Sequence, residues 1–376
     1  MTPEKLISQY RCHYPALRQA SAGAFLATPA VRRTMEDRLA MARKPLETGD
    51  IDRPALPFFL DLEITTGCQL QCSYCARTFL GIEPEHMPIK RLRQILDQAP
   101  DVIAINLVGL GEPLLHPQIG TIITTMKKRN IRTALVTNGM TLNPAKTAIL
   151  LKSGIDAVTF SLDHVDPKRF HHDRAKANLD RILDNIRHFT EEVKRSGRNE
   201  ITCNIFSALQ PQTIPLLGEL AVFARSVNIA AIVISDLNFV NNRPLSIRET
   251  DNRDKLTEEL LAQMRKAASM GVVFLDPHIL DSAAMAIDWP SFIISKPDQV
   301  LSQHATVQHR CLAPLRTLAV RVDGTVNYCN CTPQSNAGNL TLQTLREIWW
   351  NRGYRDFRKE LYSNSPPKPC QGCPRL

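Results

Sequence analysis

The sequence predicts an α/β fold, a parallel sheet curved or closed like part of a barrel, with a small domain at its C-terminal end. Three observations carry this. From about residue 57 to 275, short apolar runs alternate with segments of helical period, and beyond about residue 300 that rhythm stops. The third is length: 376 residues exceed one ordinary core, so a domain of roughly 200 to 250 residues plus something smaller is expected.

Each element follows from its own pattern. FFLDLEI (58–64) reads as a strand. From Pro88 to Ala99, Ile89, Leu92, Ile95 and Leu96 share one helical face behind a proline suited to a first turn. VIAINLV (102–108) is strand-like, and Pro117 to Arg129 is a helix with Ile119, Ile122, Ile123 and Met126 inward. After the strand TALVT (133–137), Asn143-Pro144 caps a helix that Gly154 ends. AVTFSL (157–162) is a strand, and Leu179, Ile182, Leu183, Ile186 and Val193 form a long helical stripe. ITCNIF (201–206) and AAIVIS (230–235) are strands separated by a helical segment. Six strands, each followed by a helix, imply right-handed crossovers and a partial (β/α)6, TIM-like barrel. Further on, Gly324 and the DGT turn mark a hairpin, a short helix spans about Leu345 to Leu361, and the tail SNSPPKPCQGCPRL is proline-rich. The expected boundaries are a basic helical extension at 1–55 with Met35, Leu39 and Met41 as a packing stripe, a core at 56–300 and a small domain at 301–376.

Composition narrows the function. No apolar run is long enough to span a bilayer, and the start, MTPEKLISQYRCHYP, lacks the apolar block of a signal peptide, so a cytoplasmic protein is expected. In that reducing setting ten cysteines point to metal or redox chemistry and not to a disulfide framework. The net charge of +9 is spread along the chain, and aromatic content is only 6%, which argues for a solvated surface over a nucleic-acid face. The cluster Arg32, Arg33, Arg38, Arg43, Lys44 leaves room for an anionic partner.

The chemistry sits in TGCQLQCSYCARTF, where Cys68, Cys72 and Cys75 follow the first strand. In a β/α array, reacting groups collect at the carboxyl ends of strands. Two short spacings let three thiolates converge on a soft metal centre; an iron–sulfur cluster with one open iron fits, as do a zinc site borrowing a fourth ligand and three unrelated thiols. Cys311, Cys329, Cys370 and Cys373 form a second set, and their spacing admits either a zinc ribbon with four thiolate ligands or a [4Fe–4S] site.

With CxxxCxxC at 68–75 and the aromatic Tyr74 before its last cysteine, the chain resembles the radical S-adenosylmethionine (SAM) enzymes over most of residues 57–240. The resemblance implies a [4Fe–4S] cluster on Cys68, Cys72 and Cys75 whose open iron is chelated by SAM, and a 5′-deoxyadenosyl radical formed by reductive cleavage. It implies that GLGEP (109–113) is the glycine–glutamate loop, with Gly111 and Glu112 at the amino group of the cofactor. Asn138 in Thr137-Asn138-Gly139 and Ser161 with Asp163 in Ser161-Leu162-Asp163 match positions lining its ribose and carboxylate. Asn204, Tyr74 and Arg174 are further candidates for cofactor contact, Arg174 with the carboxylate. The segment from Cys311 through Gly324 and Cys329 to CQGCP resembles a twitch domain, the reduced form of the SPASM domain, which implies a second, fully ligated [4Fe–4S] cluster.

From that resemblance a two-electron oxidation of an unactivated C–H position in a sugar-like small molecule is expected, with an electron donor such as flavodoxin or ferredoxin as partner. The alternatives are a peptide maturase, a redox-neutral epimerase with Cys331 as hydrogen donor, and a structural zinc protein. Trp349 and Trp350 are read as packing, and Cys12 and Cys203 as structural. The histidines His116, His171, His172 and His309 show no metal spacing.

Overall fold

The computed structural model describes residues 29–198, 200–237, 252–275, 311–330, 332 and 335–370. In chain order the strands are β1 (Phe59–Leu62), β2 (Gln71–Cys72), β3 (Ala104–Leu107), β4 (Arg132–Thr137), β5 (Ala157–Ser161), β6 (Arg174–Ala175), β7 (Thr202–Leu209), β8 (Ala231–Asp236), β9 (Val273–Leu275), β10 (Thr317–Val320), β11 (Thr325–Asn327) and β12 (Gly338–Asn339). The helices are α1 (Pro29–Thr48), α2 (Ala76–Leu80), α3 (Ile89–Gln98), α4 (Ile119–Lys127), α5 (Pro144–Ser153), α6 (Pro167–Asp173), α7 (Leu179–Arg195), α8 (Leu217–Ser226), α9 (Arg253–Ser269), α10 (Ala313–Arg316), α11 (Leu345–Trp349) and α12 (Arg352–Leu361).

One sheet carries the order β12-β11-β10-β1-β3-β4-β5-β7-β8-β9, and its two ends do not meet among the described residues. It is parallel from β10 to β9 and antiparallel only at the β10-β11-β12 end. All six expected strands are present. A seventh core strand, β9, is three residues long, too short to stand out from its flanks by period.

Strand alternation separates two environments. Leu60, Leu62, Ile64, Ile105, Leu107, Leu135, Val158, Phe160 and Ile205 join the helices in one apolar core. The helix stripes supply its other half: Leu92, Ile95 and Leu96 of α3, Ile119, Ile122, Ile123 and Met126 of α4, and Ile182, Ile186 and Val193 of α7 are buried. By the period of two, the other sheet face carries Asp61, Glu63, Asn106, Thr159, Ser161 and Asn204. That face sets these polar residues among the small apolar Ala104, Ala134 and Ala157.

Local signals act as their chemistry requires. Asn143 Oδ1 accepts from the Lys146 amide at the start of α5, and Gly154 ends that helix at φ +88°. Pro88 stands at the N-cap of α3, one residue before the first turn expected for it. Met41 is 49% exposed, so the stripe expected at Met35, Leu39 and Met41 fails there. Instead α1 turns Ala42 and Leu46, one helical turn apart, onto Phe58, Leu312 and Leu315. The side chains of Met35 and Leu39 lie outside those described.

The C-terminal segment is joined to the core by backbone pairing. β10 runs parallel to β1 in the register Phe59↔Thr317 to Leu62↔Val320. The hairpin turn places Gly324 at φ +88°, where glycine alone avoids strain. Trp349 is fully buried and donates to the Ala55 carbonyl at 2.9 Å, while Trp350 donates to Pro54 at 3.0 Å. Arg358 sits 4.3 Å over the Trp349 ring and donates to the Pro314 and Trp349 carbonyls. Burial pulls its pKa down to about 10, a cost offset by these carbonyls and by the ring faces. No described helix is long and apolar enough to cross a membrane.

Candidate active site

Past the end of β1 the chain leaves the sheet and folds back on itself. Thr65 Oγ1 donates to the Glu85 carbonyl (2.9 Å) and Thr66 Oγ1 to that of Glu83 (2.7 Å), which pins the loop's entry. β2 then pairs antiparallel with β6, setting Cys72 opposite Arg174. Cys68, Cys72 and Cys75 are each half-buried.

The thiols feel one another. Burial pushes Cys72 up to about 11, and the neighbouring Cys75 and Cys68 add to the rise while Arg174 opposes it. Burial also raises Cys68, with Glu112 and Cys75 adding to it. Cys68 and Cys72 held this way favour the thiol on their own, and a positively charged iron centre would reverse the balance by taking them as thiolates. Among the described residues no three side chains surround a single point as one bare ion requires. A four-iron cluster takes one thiolate per iron, so its ligands surround a cube. The loop fits that group.

The glycine loop after β3 packs directly on the cysteine loop. A Cβ at Gly111 would stand 2.1 Å from the Thr65 carbonyl oxygen, and the Glu112 amide donates to the Gly67 carbonyl at 2.8 Å. Glu112 is 2% exposed. Its Oε1 accepts from the Leu114 amide (3.1 Å) and Thr137 Oγ1 (2.7 Å), and its Oε2 from the Asn138 amide (2.8 Å). Burial raises its pKa, and these donors work against that rise. A carboxylate offers about four lone-pair sites. Glu112 therefore ties the ends of β3 and β4 together and keeps acceptor capacity on Oε2.

The β5 end brings a second buried carboxylate. Asp163 Oδ2 accepts from the Tyr74 hydroxyl and from Arg174 Nε (2.9 Å), and Oδ1 from the Ala208 amide (2.9 Å). The structure thus turns the Tyr74 hydroxyl and the Asp163 carboxylate toward each other. Arg174 is 5% exposed and reaches Asp163 through Nε. Ser161, at the last position of β5, is half-buried on the same sheet face as Thr159. Asn204 is 3% exposed and lines a cavity of about 390 Å³ with Thr202, Cys203 and Asn228, at the amino end of β7 and away from the cysteine loop. Burial alone pushes Cys203 up to about 12.

Several residues of the site escaped the reading of the sequence. Glu63, 2% exposed, accepts from the Leu110 amide at 2.7 Å through Oε1 and pairs with Arg321 at 3.1 Å through Oε2. The alternation of Asp61 and Glu63 with leucines was the signal available for it. Asp173, 1% exposed, is contacted by His164, His172 and Arg169, and its own carbonyl accepts from the Ser73 amide inside the cysteine loop. Burial alone would raise its pKa, but hydrogen bonds from His164, His172 and Arg169 outweigh it and hold the carboxyl at about 2. A depressed carboxylate contributes stability above its ordinary pKa and loses it as pH falls. The melting temperature is therefore expected to drop between pH about 4 and about 2, and Asp173→Asn to flatten that drop; equal slopes in the two proteins would refute it.

Two cysteines of the second set, Cys311 and Cys370, are drawn together. Cys311 and Cys370, 8% and 9% exposed, share an apolar cluster with Phe357 and Leu361, against which Tyr328 packs. Cys329 follows Tyr328, and its backbone amide donates to Thr332 Oγ1 at 3.2 Å. The Tyr362 hydroxyl donates to the Cys311 carbonyl at 2.6 Å. Cys373 and Cys331 lie outside the described residues, as do Cys12 and His309. His116 is buried between the Met87 carbonyl and the Gln118 amide, and His171 is exposed.

Comparison with known proteins finds two family matches along the chain. Residues 62–207 match the radical SAM superfamily, and residues 311–374 match the SPASM iron–sulfur cluster-binding domain. A Pyrococcus furiosus relative, the tungsten-containing aldehyde ferredoxin oxidoreductase cofactor-modifying protein, is 27% identical over 80% of this chain and 83% of its own. The PqqA peptide cyclase of Xanthomonas campestris is 23% identical over 85% of this chain and 80% of its own. Among solved structures, Streptococcus suis SuiB bound to S-adenosylmethionine superposes with a TM-score of 0.62 at 16% identity, covering 92% of this chain and 83% of that one.

Proposed function

Because this chain is a radical SAM enzyme with a C-terminal SPASM domain, we propose that it oxidises an unactivated C–H position of its substrate by two electrons, the first leaving with the abstracted hydrogen atom and the second passing to an acceptor as the substrate loses a proton. The family's cofactors are [4Fe–4S] clusters and SAM. When bound, they supply a 5′-deoxyadenosyl radical that takes the hydrogen atom and, at the C-terminal cysteines, an acceptor for the second electron. The reading assigns the first cluster to Cys68, Cys72 and Cys75, and the second to Cys311, Cys329, Cys370 and Cys373.

One observation supports this most. The strand that leads to the cysteine loop, β1, is hydrogen-bonded to the first strand of the C-terminal segment, β10, and the Glu63–Arg321 pair closes the same junction. Both cysteine sets therefore belong to one frame, as transfer of a second electron across a fixed gap requires. In this reading Glu112 accepts from the ammonium of SAM through Oε2, Arg174 meets its carboxylate, and Ser161 lines its ribose beside Asn138. The remaining chain excludes water from the site and keeps the loops in place.

The substrate favoured is a peptide. The PqqA peptide cyclase aligns over most of both chains, and SuiB has been solved with its precursor peptide SuiA at a TM-score of 0.61 over 92% of this chain and 75% of that one. A small hydroxylated molecule is the second reading, and the polar residues Asp61, Asn106, Thr159 and Ser161 on one sheet face support it. An electron donor of the flavodoxin or ferredoxin type would reduce the first cluster.

The test uses reconstituted enzyme, reduced with dithionite and given SAM with a pool of synthetic peptides or, separately, a pool of sugars and aminocyclitols. The expected result is 5′-deoxyadenosine released with the peptide pool and a product lighter by two hydrogens. Release with the sugar pool alone would transfer the assignment to the second reading. Solvent deuterium in a product of unchanged composition would overturn the oxidation and point to epimerisation, with Cys331 as the donor to examine.

A further inference from the structure

Asn138 is fixed at its backbone amide and at its side-chain oxygen, and its side-chain nitrogen points at the cysteine loop. Its backbone amide donates to Glu112 Oε2 at 2.8 Å, fixing the main chain to a buried carboxylate. Its side-chain oxygen accepts from Gln69 Nε2 at 2.9 Å and from the Met140 amide at 3.0 Å. A backbone amide only donates, so the atom facing Met140 must be the oxygen, and the amide orientation follows from the network. The Asn138 NH2 group is then directed at Cys68 Sγ, with the nitrogen 3.8 Å away. The next residue, Gly139, bends the chain at φ +74°, and Asn185 donates to its carbonyl at 2.8 Å. Asn138 itself is 8% exposed, so water does not compete strongly for its NH2 group.

We propose that Asn138, oriented by Gln69, donates an N–H···S hydrogen bond to Cys68 and thereby sets the reduction potential of the iron–sulfur cluster held by the N-terminal cysteine loop. The inference rests on the radical SAM reading of that loop and extends it to a residue that tunes the centre. Hydrogen bonds to cluster sulfurs are among the factors that set potential. A donor stabilises the more negative, reduced state more than the oxidised one, so it raises the midpoint and eases loading of the first electron. Gln69 belongs to the same device. It lies one residue past Cys68 and reaches across to lock the amide of Asn138 in its donating orientation.

The test is a redox titration of the anaerobic holoenzyme followed by electron paramagnetic resonance, with the C-terminal cluster in the same sample as an internal reference. Asn138→Leu removes the donor. Asn138→Asp keeps the acceptor for Gln69 and Met140, which guards against a collapsed loop, and replaces the donor by a carboxylate whose charge lowers the midpoint further than Asn138→Leu does. In both, the midpoint of the N-terminal cluster is expected to move to more negative potential while that of the C-terminal cluster stays. At a fixed poise the reduced fraction should fall roughly threefold to tenfold, as loss of one hydrogen bond implies. An exchangeable deuterium coupling to the reduced cluster in heavy water should also vanish in Asn138→Leu. Full cluster content with an unmoved midpoint in both variants would overturn the inference alone. A wild-type protein with no cluster on Cys68, Cys72 and Cys75 would overturn the family reading, and the inference with it.

Discussion

Cys72→Ala protein, purified without oxygen, is expected to release no detectable 5′-deoxyadenosine and to retain iron and sulfide only at the C-terminal site. Enzymes of ordinary power accelerate their reactions by at least about a millionfold, so removing a ligand of the group that supplies the chemistry should cost more than roughly a thousandfold. Cys72 is the informative position among the three. Its pKa is raised to about 11, and it lies opposite Arg174 in the β2–β6 pair. Alanine there preserves the strand pairing, which is made by backbone. The fold should therefore survive, and a melting curve within a few degrees of wild type would separate loss of the centre from loss of structure. Cleavage of SAM at the wild-type rate would remove the cysteine loop from the chemistry. Cys203→Ala is the natural control, since that thiol is packed, half-buried, against the core and raised by burial alone.

Gly111→Ala is expected to be as damaging by a different route. The added methyl would meet the Thr65 carbonyl oxygen at 2.1 Å, its carbon at 2.7 Å and the Gly67 carbonyl oxygen at 2.9 Å. All three are backbone atoms, so no side chain can swing aside. The two loops must separate, and the bond from the Glu112 amide to Gly67 is lost with them. Overpacking against movable side chains costs about 1–3 kcal/mol, and a clash with fixed backbone should exceed the upper end of that range. The expected result is poor solubility, or a melting temperature lowered by many degrees together with loss of iron. Gly81→Ala is the comparison: its φ is +58° but nothing lies within 4 Å of the new methyl, so it should cost only about 1–2 kcal/mol. Equal stability of Gly111→Ala and wild type would refute the close approach of the loops.

The division between sequence and tertiary structure follows the range of the interactions involved. Strand and helix positions were legible because period two and period 3.6 are local, and residues such as Leu92, Ile95 and Leu96 declare their face within one helix. Caps were legible for the same reason, as at Asn143 and Gly154. The cysteine loop was legible because its spacing spans only eight residues at the end of a strand. Met41 misled because an amphipathic stripe shows which residues are apolar without showing which way the core lies; that depended on Phe58 and Leu315, far away in the chain.

What the sequence determined by itself is therefore the alternating α/β order and the two sets of thiols. What only the tertiary structure decided is how they are joined. β10 entered beside β1 across more than 250 residues of chain, since Phe59 pairs with Thr317. The acceptors of Glu112 were taken up by Thr137 and Asn138, and those of Asp163 by Tyr74, Arg174 and Ala208. Each is a buried carboxylate, and a buried carboxylate must find its donors wherever the fold brings them. No local pattern marks a partner that distant, because the requirement is satisfied in space and leaves no spacing along the chain.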